Sequence, residues 1–161
     1  MTDFDERLQK AIDRGAQRSE ARRREAQAKA LSEEELRSLH TKYRLELSDH
    51  IERCIKRLPD HFPGFRFEII FGERGWGAGV YRDDVGRGRG RRDNFYSRLE
   101  MTVRPFSSLH VLELAAKGTV RNKETFNRSH YEKLDEVDRD NFTQLIDFWI
   151  LEYAELYAAR A

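Results

Sequence analysis

Large apolar residues recur along this chain with two different periods, and the change of period divides it into elements. Leu36, Leu39, Tyr43, Leu47, Ile51, Ile55 and Leu58 follow steps of three and four. That spacing keeps side chains on one face of an α-helix. Ser32-Glu33-Glu34-Glu35 has the form of a capping box just before the run, and Pro59 stands just after it. The pattern predicts a helix over 32–58.

The period then falls to two. Phe65, Phe67, Ile69 and Phe71 alternate with Arg66, Glu68 and Ile70, which predicts a strand. A second strand is expected over 76–82, where the alternating Gly75, Gly77 and Gly79 read as a bulge or a close approach of backbone. Residues 83–94 read as a loop. Phe95, Ser97, Leu99, Met101 and Val103 form a third alternating run, closed by Pro105. A fourth strand is expected over 109–116, extending toward Val120. The polar segment 121–139 suggests one short helix around 129–134. In the last element Phe142, Leu145, Ile146, Trp149, Tyr153 and Leu156 make a wide helical stripe, with Asp138 or Asp140 placed to cap its start.

This order predicts an α+β fold: a long helix, a four-stranded antiparallel meander and a C-terminal helix, with both helices on one face of the sheet. They would bury Phe65, Phe67, Phe71, Leu99 and Met101, and leave Arg66, Glu68, Arg98, Glu100 and Arg104 on the other face. Residues 1–31 stand apart as a charged helical arm, and 32–161 as the single domain. Of Leu, Ile, Val and Phe, the first 35 residues hold only Phe4, Leu8, Ile12 and Leu31. Phe4, Leu8 and Ile12 share one face of a short amphipathic helix. The charged residues 14–29 read as a solvated helix or a mobile arm.

Composition narrows the class. Of the 161 residues 37% are charged, yet 30 Lys+Arg oppose 29 Asp+Glu for a formal net charge of +1. That balance argues against wholesale non-specific binding to nucleic acid, though not against a local basic patch. No apolar run approaches the roughly 20 residues a membrane span needs. The acidic N-terminus has no apolar segment of a secretory signal. The one cysteine, Cys54, allows no intrachain disulfide and no multi-cysteine zinc site. A cytoplasmic protein is the simplest expectation.

Two basic segments are candidate phosphate contacts. Arg82, Arg87, Arg89, Arg91 and Arg92 flank glycines in an Arg/Gly-rich loop, and arginine pairs with phosphate or stacks on unpaired bases. Arg14, Arg18 and Arg22 form a stripe at four-residue spacing. Against both stands the bland reading of a solvated surface in an arginine-rich chain.

Glu46, His50 and Cys54 lie four apart on the long helix and carry metal-ligand chemistry. Eight residues of helix span about 12 Å, so one ion cannot touch all three. No partner pair stands nearby in sequence, and no metal site is expected. The glycines of 72–79 miss dinucleotide and phosphate-loop spacing. Ser107, Ser108 and His110 lack a nucleophile elbow. His40, His110 and His130 read as surface or loop histidines.

Phe148 and Leu151 point away from the core stripe of the last helix and are candidate protein contacts. The sequence therefore reads as a small non-catalytic binding or protein-interaction domain without a cofactor, engaging a protein partner or a second copy. The alternative is a nucleic-acid-binding accessory protein that grips single strands with the Arg/Gly loop and the basic N-terminal helix. An enzyme without a recognisable motif ranks third.

Overall fold

The computed structural model describes residues 3–88 and 91–160. Helix α1 (Asp3–Ile55) and the single turn α2 (Leu58–His61) precede five strands: β1 (Arg66–Ile70), β2 (Trp76–Gly88), β3 (Arg91–Val103), β4 (Val111–Val120) and β5 (Lys123–Lys133). A 3-10 turn at Leu134–Glu136 leads into helix α3 (Arg139–Arg160). The strands form one antiparallel sheet in the order β1-β2-β3-β4-β5. The α+β class and the meander are as the sequence pattern predicts, with five strands in place of four. Among the described residues no helix is long and apolar enough to cross a membrane.

The chain divides into two compact units, Met1–Ser38 and Leu39–Ala161. In the first, α1 is continuous from Asp3, and every side chain over 3–29 is exposed. Residues 14–29 are thus a solvated helix, carrying pairs such as Arg23–Glu20 at 3.1 Å. Ser32 does not begin a helix. The Ala-, Arg-, Glu- and Gln-rich turns before it are strong helix formers without proline, so nothing breaks the helix for a cap to restart. Phe4, Leu8 and Ile12 are exposed.

In the second unit the last turns of α1 bury Leu47, Ile51 and Ile55. The helix ends before Pro59, which lies in the first turn of α2, where its missing N–H costs nothing. Both helices cover one face of the sheet. Arg44 of α1 lies over the Trp76 ring at 4.0 Å, and Tyr153 of α3 packs edge-on against Phe126 at 6.5 Å. The register sets Val80 beside Leu99, Ala78 beside Met101, Met101 beside Ala116 and Val103 beside Leu114, all buried in this face. Phe71 departs from the expectation. β1 stops at Ile70, and Phe71 is 76% exposed in the turn that follows.

Within the segment read as a loop, residues 83–88 and 91–94 are strand, and 89–90 lie outside the described residues. β2 and β3 continue pairing to Gly88 and Arg91. β5 replaces the helix expected around 129–134. β4 and β5 join through Arg121 and Asn122, both with positive φ, the two-residue turn whose twist matches a hairpin. The Asn122 side chain accepts from the Tyr96 amide and donates to the Asn94 carbonyl, anchoring that turn to β3.

β5 lacks an apolar alternation because its inward residues are mostly polar. Arg128 pairs with Glu152 of α3, while His130 and Asn141 both reach Glu132. Burial opposes the charge on Glu132. Hydrogen bonds from the Asp138 amide, His130 and Asn141 outweigh it and hold the carboxyl below its ordinary value. A depressed carboxyl pKa contributes stability above the unfolded value and loses it as pH falls through the folded one. The stability gap between wild type and Glu132→Gln is therefore expected to be largest near neutrality. In urea titrations at stepped pH it should close below the ordinary carboxylate range; a gap that widened on acidification would contradict this.

Asp138 caps α3, its carboxylate accepting from the Asp140 and Asn141 amides at 3.1 and 3.3 Å. The helix buries Phe142, Ile146, Trp149, Ile150, Tyr153 and Tyr157. Leu145 and Leu156 are only half-buried. The buried stripe is thus turned toward Ile150 and Tyr157, where Tyr157 meets Phe62 and Phe65 at 4.9 Å each.

Candidate functional site

On α1, Leu47, Ile51 and Ile55 face the core, so His50 and Cys54 fall together on the adjoining flank, one turn apart. Asp147 of α3 stands against that flank. His50 Nε2 lies 2.7 Å from Asp147 Oδ1. Cys54 Sγ lies 3.6 Å from the same nitrogen and 3.7 Å from the same oxygen. The three ligating atoms lie within 4.8 Å of one another. Glu46 is not part of the group; it forms a two-oxygen pair with Arg139 at 3.0 and 3.1 Å.

The cluster borders a groove of about 460 Å³ lined mainly by apolar side chains, among them Leu58, Phe62, Ile150, Leu151 and Ala154, with His61 and Arg57 also lining it. Of the two candidate contact residues, Leu151 lines the groove and Phe148 does not, although both are exposed, at 68% and 62%.

The cluster is not a nucleophile relay. Such a relay holds thiol and carboxylate on opposite ring nitrogens, whereas here both approach Nε2. Burial first, then the charge and hydrogen bond of Asp147, push the Cys54 thiol up, against smaller pulls from Arg53 and Arg57. A protonated thiol is a poor nucleophile.

A second, polar groove of about 410 Å³ lies on the open face of the sheet. Arg98, Glu100 and Arg104 meet there, as the strand alternation implies. The cations are largely matched. Arg74 and Arg98 both bind the buried Glu100, and Arg104 pairs with Glu113 at 3.6 Å. Lys117, opposite Glu100 in the register, makes no ion pair among the described residues. Burial and Glu100 push the nearby Tyr81 phenol up to about 12.

The arginine candidates are separated. Arg82 donates to Asp84 at 2.8 Å and to the Pro63 carbonyl at 2.6 Å, clasping the segment before β1 onto β2. Arg87 stands opposite Arg92, and Arg91 opposite Gly88, in the extended hairpin. Arg89 lies outside the described residues.

His110 lies in the loop before β4, as the sequence reading has it, while His40 and His130 differ from that reading. His40 is buried on α1, its Nε2 3.0 Å from the Arg104 carbonyl and its ring edge-on to Phe106. His130 lies in β5 against Phe142. Asp147 is the residue sequence reasoning missed. It stands 93 residues from Cys54, with no local signal beyond its place on the flank of α3.

No protein-family model matches the chain, and neither curated proteins nor solved structures give a match.

Proposed function

We propose that this protein is a small non-catalytic binding domain whose working surface is the apolar groove beside α3 together with the exposed Phe148 and Leu151. The observation that carries this reading is the pairing of a groove of about 460 Å³ with two large exposed apolar side chains three residues apart on an ordered helix. Burying them removes apolar area from water at roughly 25 cal/mol per Å², a gain the isolated chain forgoes. The occupant is an apolar segment of a protein partner or of a second copy. A cytoplasmic location accords with the single free thiol.

The alternative, single-stranded nucleic acid held by the Arg/Gly hairpin, ranks behind because Arg82 already serves Asp84 and Pro63.

The test is light scattering over a concentration series, with analysis of any stoichiometric protein that co-purifies. Wild type is expected to gain mass or retain a partner, and Phe148→Asp with Leu151→Asp to lose both. Stability should change by less than about 0.5 kcal/mol per substitution, as for surface positions. Loss of cooperative unfolding in the double variant would make this face part of the core; equal association would move the working surface elsewhere.

A further inference from the structure

We infer that His50, Cys54 and Asp147 form a zinc site that ties α1 to α3. Imidazole, thiolate and carboxylate are the ligands zinc takes, with Zn–S of about 2.3 Å and Zn–N or Zn–O of about 2.0–2.1 Å. A tetrahedral ion with those bond lengths places sulfur about 3.6 Å from each other ligand and nitrogen about 3.3 Å from oxygen. The two sulfur edges in this structure, 3.6 and 3.7 Å, already have that length. Only the His50–Asp147 edge, held at 2.7 Å as a hydrogen bond, must open by about 0.6 Å to reach it.

The charges also agree. Thiolate and carboxylate together neutralise the dication, so nothing uncompensated is left beside the apolar groove. The Asp147 side chain is 49% exposed, which gives the ion a path from solution, and the fourth position is left to water.

The protons balance simply. Asp147 Oδ1 accepts the Cys54 S–H. The ion displaces that proton to solvent as the Zn–S bond forms. The neutral imidazole donates its Nε2–H to Asp147 before the ion enters; as zinc takes the Nε2 lone pair, that proton leaves to solvent and one is taken up on Nδ1, so the ring stays neutral. Binding thus releases about one proton per ion, and affinity rises with pH as the thiol's cost of ionisation falls. The bound ion also joins two helices the chain otherwise holds at this point by one hydrogen-bonded cluster, so it stabilises the fold by mass action.

The experiment loads the full-length protein with zinc against a chromophoric chelator, and with cobalt as a spectroscopic substitute. One ion per chain is expected, with a raised thermal midpoint reversed by chelation. The cobalt form should carry a near-ultraviolet thiolate charge-transfer band that Cys54→Ser abolishes. His50→Ala and Asp147→Asn are each expected to weaken zinc binding at least about tenfold, and Glu46→Gln to leave it unchanged. Far-ultraviolet circular dichroism checks that each variant is folded. Absence of the thiolate band in wild type, or wild-type affinity in folded His50→Ala or Asp147→Asn, overturns the assignment.

Discussion

Gly77→Ala is expected to destabilise the Leu39–Ala161 unit by about 3 kcal/mol or more, a large share of the roughly 5–15 kcal/mol that holds a domain folded. A methyl group at this position would lie 1.9 Å from the Met101 carbonyl oxygen and 2.9 Å from the Thr102 Cα. Neither neighbour can yield. Both are backbone atoms of the central strand β3, paired to β2 on one side and β4 on the other, and the Met101 side chain is fully buried. The sheet must spread between β2 and β3, or β2 must detach. Gly15→Ala is the contrasting case: nothing lies within 4 Å of the added carbon, and a helical glycine replaced by alanine gains up to about 1 kcal/mol of helix propensity. Urea unfolding followed by the fluorescence of Trp76 and Trp149 measures the first change. A cost under about 1 kcal/mol for Gly77→Ala would mean that the two strands do not approach so closely.

Tyr153→Ala is expected to cost about 3–5 kcal/mol, the range for deleting a buried aromatic side chain. Tyr153 is 1% exposed, stacked on Tyr157 and edge-on to Phe126. Its hydroxyl donates to the Thr119 carbonyl at 2.8 Å, where the β4–β5 ladder shifts register between Gly118 and Thr119. A bulge disrupts its ladder locally, and the phenol supplies a donor there. Burial raises this phenol above its ordinary value, so the proton it donates stays in place across the pH range of folding. Tyr153→Phe keeps the packing and removes only the donor, which sets its expected cost at about 1–3 kcal/mol. Denaturant midpoints of the two variants separate packing from hydrogen bonding. Equal costs would assign the whole effect to the hydroxyl.

Elements that bury a continuous apolar stripe were legible from spacing alone. Leu47, Ile51 and Ile55 mark the covered face of α1, and Leu99, Met101 and Val103 that of β3, because each pattern follows from the geometry of its own segment. The alternating glycines also read correctly as a close approach of backbone. β5 was not legible. Its inward Arg128, His130 and Glu132 are satisfied by ion pairs and hydrogen bonds, two of them reaching α3, and such partners leave no apolar alternation in the strand itself. The capping signature at Ser32 misled for the opposite reason: the signal is local, and the helix formers before it overrode it.

The chain by itself determined the α+β order, an acidic cap at Asp138 or Asp140, the core faces of α1 and β3, and the outward direction of Phe148 and Leu151 on α3. These depend on residues a few positions apart, whose relative placement one helix or strand fixes. Tertiary structure alone decided which helix flank faces which. It rotated the buried side of α3 to include Ile150 and Tyr157, committed Arg82 to Asp84 and Pro63, and set Asp147 against His50 and Cys54 across nearly a hundred residues of chain. Periodicity gives the angle of a side chain about its own axis and carries no information about the neighbour it meets, so a site assembled from two helices becomes visible only when the helices are packed.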